Sequence, residues 1–301
     1  MTGYSGTQYV SAWGDGAAAS VVVRVDHVPG QGTVVRVHPS GSGPGGVIHE
    51  PERPGLPVPL DPLAVASVER GPLDLLRRNY QLMLGAHHQS AEEVVARRPD
   101  GSVAARFWID RTHRLATRRE VYDVDGTLVR ATAYVDLTVG TIALPTVAQA
   151  AERATEERLD AAAVAALRGE GWVLPAQFPD GMMLVDVRRQ NAGAETVLHL
   201  SYTDGLSTVS VFVQPGRLET KQLGGWRREQ MGGRVYVHDD GLARHVTWSG
   251  RGRVYTIVAD ASPRTLATLV MRLPHGEKHR SWWGRIVHGL ERLGSWLDPF
   301  H

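Results

Sequence analysis

Cysteine is absent from all 301 residues, which excludes disulfides, thiolate metal sites and cysteine nucleophiles and leaves the redox compartment open. No stretch of the sequence approaches the about 20 consecutive apolar residues of a membrane-spanning helix. Met1–Tyr9 has neither the basic start nor the apolar centre of an export signal. An excess of either charge is also missing: 33 Lys and Arg face 32 Asp and Glu, so no global field draws the chain to nucleic acid or an acidic substrate. Strand-like residues begin at once, at Tyr4–Trp13, as they would if a leader or anchor had been trimmed from the front.

What is present suits a folded protein. Hydrophobic residues make up 42% and charged residues 22%, an ordinary globular balance. The length exceeds the common domain size of about 100–150 residues, so two units are expected. In the first third, Tyr4–Trp13, Ala19–His27 and Thr33–His38 read as strands separated by Gly, Asp and Pro-Gly turns. Within the second of these, Val21, Val23 and Val25 alternate with Val22, Arg24 and Asp26, the period of a sheet with one apolar face. Pro39–Pro62 is rich in Pro and Gly and is expected to be a long irregular loop.

Helical spacing is read over Leu63–Val68 and Pro72–Leu84, where Leu73, Leu76, Tyr80 and Leu84 share a side. Ala91–Arg98, Ser102–Ile109, Leu115–Val124 and Leu128–Val139 add four strands, with Pro-Asp-Gly and Asp-Gly turns between them. The Ala/Glu/Arg-rich stretch Ala148–Leu167 is expected to be a helical connection. Beyond it, six strand patterns between Met182 and Asp260 precede a helix opened by Ser262-Pro263. The tail Ser281–His301 is amphipathic, with Trp283, Ile286, Leu290 and Leu297 on one face. It either packs on its own protein or meets a membrane surface or partner helix.

Chemistry-bearing motifs are scarce. Gly41–Gly46 lacks the Lys-Ser/Thr of a phosphate loop, and His49-Glu50 lacks the second histidine of a zinc protease, with Arg53-Pro54 in the way. His87-His88 cannot share a metal by helical spacing, and Ser5 lies in no nucleophile elbow. The pairs Glu92-Glu93, Glu156-Glu157 and Asp239-Asp240 diverge from one another as neighbours do. No catalytic residue, cofactor or metal is therefore expected, and binding is favoured over catalysis.

Two motifs point further. Ala105–Gly126, with Phe107-Trp108, Asp110, Leu115 and Asp125-Gly126, resembles the strand-turn-strand of LolA-like domains. Trp172-Val-Leu-Pro175-Ala-Gln-Phe178-Pro179-Asp-Gly181, then Tyr202-Thr-Asp204-Gly205-Leu206 and Tyr255–Pro263, resemble the C-terminal domain of the RseB/MucB family of sigma-E regulators in the same order. That resemblance spans both halves of the chain. It implies an α+β fold: a curved antiparallel LolA/LolB-like half-barrel with covering helices, then a smaller α+β domain.

The divisions expected on this basis are 1–147 (lipid or lipoprotein sensing), 148–170 (helical linker), 171–275 (C-terminal domain) and 276–301 (amphipathic tail). The resemblance implies an exported or envelope protein whose partners are the extracytoplasmic segment of an anti-sigma factor and a lipid or lipoprotein acyl chain. The segment would be shielded from its protease until envelope stress releases it. Tyr9, Val21, Val23, Val25 and Trp108 are the candidate lining of an apolar cavity, and Tyr202, Leu206 and Trp226 the candidate partner-binding residues. A lipid or lipoprotein carrier is the competing reading.

Overall fold

The computed structural model describes residues 3–14, 17–38, 47–50, 71–143, 156–192, 195–239 and 243–276. The chain divides into two compact units at Ala148/Gln149. The tail 281–301, and with it both readings of its apolar face, lies outside the described residues.

The first unit is built on nine strands: β1 (Gly3–Gly14), β2 (Ala17–Val28), β3 (Gly32–His38), β4 (Val47–Glu50), β5 (Gln81–His87), β6 (Ala91–Arg97), β7 (Val103–Asp110), β8 (Ala116–Tyr122) and β9 (Leu128–Gly140). They form one open sheet in the order β4-β3-β2-β1-β9-β8-β7-β6-β5, antiparallel throughout. The long β9 returns beside β1 and so joins the two runs of hairpins. Local chemistry sets the turns. Gly101 and Gly126 adopt positive φ, and Asp100 accepts the Ser102 N–H at 2.9 Å, as Pro-Asp-Gly and Asp-Gly turns require.

Register shifts interrupt five of the pairings, at Thr7/Gln8, Leu84/His87, Ala96/Arg97, Trp108/Ile109 and Val121/Tyr122. Each extra residue bends and twists the sheet, which gives the curved half-barrel. The helix expected over Pro72–Leu84 is shorter: α1 (Gly71–Asn79) stops and the chain turns into β5. Leu84 shares the helical spacing of Leu73, Leu76 and Tyr80, yet it pairs with Val94 across the sheet. Of the expected irregular loop at 39–62, residues 47–50 form β4 and the rest lie outside the described residues.

The second unit carries β10 (Glu156–Arg158), β11 (Met183–Ala192), β12 (Glu195–Thr203), β13 (Thr208–Pro215), β14 (Arg227–Gln230), β15 (Arg234–Asp239), β16 (Arg244–Gly250) and β17 (Arg253–Ala259). Their order is β10-β11-β12-β13-β17-β16-β15-β14, again antiparallel. Two helices pack on it. α2 (Ala161–Gly169) is capped by Asp160, which accepts the Ala163 N–H at 2.8 Å; α3 (Pro263–Arg272) is capped by Ser262, with proline in its first turn. The segment expected to be a helical linker thus contributes β10 and α2 to this unit, because Val164 and Leu167 are buried in its core.

One row of register partners shows why the core holds: Val187, Leu200, Val211, Ile257, Val246 and Val237 stand side by side, all buried with Leu266, Leu269 and Val270 of α3. Each such side chain contributes about 1.5–3 kcal/mol relative to exposure. Trp172 lies under the Arg253 guanidinium, 4.2 Å from ring centroid to Cζ. Phe178 meets Tyr202 edge to face at 4.8 Å. After α3 the chain is held to β16: the Trp248 indole N–H donates to the Pro274 carbonyl at 2.9 Å, and its ring stacks on Tyr255 and His275.

Candidate functional site

Register decides which side chains of the first unit share a face, since cross-strand partners point the same way. Val21, Val10, Thr132, Arg119, Phe107, Val94 and Leu84 form one continuous row across seven strands. The next row on the same side holds Ala12, Arg130, Val121, Ala105, Ala96 and Leu82. Val23 and Val25 lie on this side too, paired with Gln8 and Gly6. Tyr4 stacks on His27 at 4.8 Å and meets Tyr134 edge to face at 6.3 Å. Most of these positions are buried, and the inner face is mainly apolar, with Gln8, Arg119, Arg130 and Thr132 as polar interruptions.

Tyr9 and Trp108 belong to the other face. Tyr9 pairs with Val22 and Ala133, Ala133 with Arg118, and Arg118 with Trp108. The single apolar lining of Tyr9, Val21, Val23, Val25 and Trp108 expected from the sequence is therefore split: the three valines are inside, Tyr9 is 48% exposed, and Trp108 carries the Arg118 guanidinium over its ring at 4.6 Å. Strand alternation explains the split, because Tyr9 neighbours Val10 and Trp108 neighbours Phe107, and adjacent residues point oppositely.

The outer face is organised by buried carboxylates. Asp26 receives Ser5 and the Arg36 guanidinium, the latter at 2.6 Å. Glu120 accepts from Arg118 and Tyr122; burial and that neighbouring carboxylate push the Tyr122 hydroxyl up to about 12. Glu93 accepts from Arg106 and takes the Ala86 N–H at 2.7 Å. Burial opposes its ionisation, yet the Ala86 N–H and the Arg106 charge outweigh burial and leave its pKa lowered. These pairs are partly exposed through their arginines, which discounts what each contributes to stability.

In the second unit the three candidate partner-binding residues separate. Tyr202 is wholly buried in the core, its hydroxyl donating to the Pro175 carbonyl at 2.9 Å, with its pKa raised by burial. Leu206 is buried in the β12–β13 turn, which Asp204 holds by accepting the Leu206 and Ser207 N–H groups at 2.8 and 2.7 Å. Neither offers a surface to a partner, and both motif residues serve the fold. Trp226 is partly exposed beside His238 and His245, ring centroids 5.4 and 6.4 Å away. It lies with the polar face of this sheet, where His199, Phe212, Thr256 and Thr247 form a row. Burial, with Arg188 nearby, lowers the His199 pKa to about 4, against the pull of Asp186.

Among the described residues no group of three or more His, Asp or Glu is arranged to hold a metal, and no helix is long and apolar enough to cross a membrane. Sequence reading missed Val10, Phe107 and Val94 of the inner row, although each lies in a recognised strand. It missed β5 as a strand altogether.

Two open antiparallel sheets, one bent around apolar rows and the other packed by two helices, define a two-unit α+β protein. No protein-family model matches the sequence, and no curated protein does. Among solved structures the chain is similar to MucB in complex with MucA(peri), at 17% identity and a TM-score of 0.50, covering 91% of this chain and 94% of that one. The Pseudomonas aeruginosa MucA/MucB complex aligns at 19% identity, TM-score 0.49, covering 91% and 93%. MucB alone aligns at 18% identity, TM-score 0.46, covering 89% and 91%. At these identities the likeness is one of fold.

Proposed function

We propose that the chain is a non-enzymatic, extracytoplasmic regulator that docks the extracytoplasmic segment of an anti-sigma factor and shields it from proteolysis. Entry of a lipid or lipoprotein acyl chain against the inner face of the first unit then releases the segment. The observation that carries this reading is a fold match through both units to a protein solved with MucA(peri), over 91% of this chain. The apolar rows around Val21, Val10 and Phe107 supply a surface of the right chemistry for the acyl signal. Affinity capture of the whole chain from a cell envelope, read by mass spectrometry, tests it. An enriched membrane protein with a sigma-binding cytoplasmic domain is expected; enrichment of no such protein would overturn the reading.

The same apolar face supports a second reading, a lipid or lipoprotein carrier without a protein partner. Native mass spectrometry of the captured chain separates the two. Bound acyl lipid with no regulatory partner favours the carrier.

A further inference from the structure

The described edge strands differ in how they are protected. An open sheet edge presents unpaired N–H and C=O groups, and proteins guard such edges with short length, charge or proline. Three of the four described edges follow that rule: β10 is Glu-Glu-Arg, β14 is Arg-Arg-Glu-Gln, and β4 is the four-residue Val-Ile-His-Glu. β5 breaks it. It runs seven residues as Gln-Leu-Met-Leu-Gly-Ala-His, with no Lys, Arg, Asp, Glu or Pro. Among the described residues nothing pairs with its outer side. Met83 and Leu84 are 52% and 78% exposed, on opposite faces of the sheet.

A bulge does interrupt this strand, which is itself a guard against pairing. Here it is confined between Leu84 and His87 and fixed by Glu93, which accepts the Ala86 N–H. Gln81–Leu84 stays in straight register with Val94–Arg97 and, among the described residues, has no strand on its other side. At the Gln81 end stand three basic residues: Arg77 and Arg78 in the exposed last turn of α1, and Arg97 as the register partner of Gln81.

We infer that β5 is a strand-addition site for an extended segment of the partner protein. The segment has apolar residues opposite Met83 and Leu84 and carboxylates at the end that meets Arg77, Arg78 and Arg97. Main-chain pairing supplies the attachment, the two exposed side chains select apolar neighbours on each face, and the arginines set direction. The inference rests on the reading that the chain docks a polypeptide segment, and it places part of that segment on the first unit.

The test uses a photoreactive benzophenone amino acid at Gln81 and Met83, which share a face, and as controls at Val124 and Met271, also exposed. The full chain is crosslinked in cells and the products are mapped by mass spectrometry. Strand addition predicts that 81 and 83 reach one apolar, acid-ended run of an envelope protein at sites two residues apart, and that Leu84→Lys weakens capture about tenfold or more. Crosslinks to that protein from Met271 but not from 81 or 83 would overturn the edge site while leaving the functional reading. Crosslinks from 81 and 83 that join two copies of this chain would also overturn it. Capture of no protein from any position sinks both.

Discussion

Gly85 and Glu93 should behave as one unit. A Cβ built on Gly85 falls 2.7 Å from the Glu93 Cδ, well inside contact distance, and Gly85 has no left-handed backbone that would itself resist alanine. Gly85→Ala must therefore push the carboxylate off the Ala86 N–H and the Arg106 guanidinium. Overpacking of this kind costs about 1–3 kcal/mol. Loosening two hydrogen bonds to a charged group adds about 1 kcal/mol after discounting for the half-exposed arginine. Reduced freedom of the unfolded chain returns about 0.5–1 kcal/mol, for a net loss of about 2 kcal/mol.

Glu93→Ala by itself removes the same hydrogen bonds and should cost about 2 kcal/mol. In that background the new Cβ enters vacated space, so Gly85→Ala becomes nearly neutral. The double-mutant cycle should then show a coupling of about 2 kcal/mol. Urea unfolding of the four proteins, with hydrogen exchange at Ala86, measures it. Equal costs for Gly85→Ala in both backgrounds would refute the proposed role of Glu93 in fixing the β5 bulge.

Other outcomes follow from the same structure. Gly250→Ala brings a Cβ within 2.8 Å of the Pro274 carbonyl carbon; it should break the Trp248–Pro274 bond and destabilise the second unit by about 3 kcal/mol in urea, with no comparable change in the first. Tyr202→Phe leaves the Pro175 carbonyl without its donor and should cost about 1 kcal/mol. His199 has a folded pKa lowered to about 4 from 6.5. Its contribution is thus complete above about pH 6.5 and is lost as pH falls toward 4, by up to about 3 kcal/mol; His199→Gln should flatten the urea midpoint across that window. Glu93 and Asp110, whose pKa values are lowered, contribute stability that is present above the ordinary carboxylate pKa of about 4 and declines below it; Glu93→Gln should reduce that acid sensitivity.

The second unit was largely legible in the sequence because its signals are local and agree with one another. Ser262-Pro263 starts α3, Asp204-Gly205 makes the β12–β13 turn, and alternation marks β12, β13, β16 and β17. β5 was hidden for a physical reason. Leu73, Leu76, Tyr80 and Leu84 recur at helical spacing, but Leu84 is exposed, so the period does not record burial on a helix face. What makes Gln81–Leu84 a strand is pairing with Val94–Arg97, a non-local contact that a window of sequence does not contain. The candidate lining failed in a similar way. Alternation in β1 and β7 is plain, but which parity faces inward depends on register with β9 and β8 and on the bulges between them. The aromatic residues Tyr9 and Trp108 took the outer side. Tyr202 was recognised through a motif whose conspicuous residues build a turn and a core.

The central claim is that this chain recognises a polypeptide segment and protects it without transforming it. The most direct test incubates the intact chain with the extracytoplasmic segment of the anti-sigma factor captured with it, adds the protease that cuts that segment, and follows cleavage with and without acyl lipid. The account predicts a segment of unchanged mass that survives while the chain is present and is cut once lipid is added. Cleavage at the same rate with and without the chain, or a segment chemically altered by the chain alone, would contradict it.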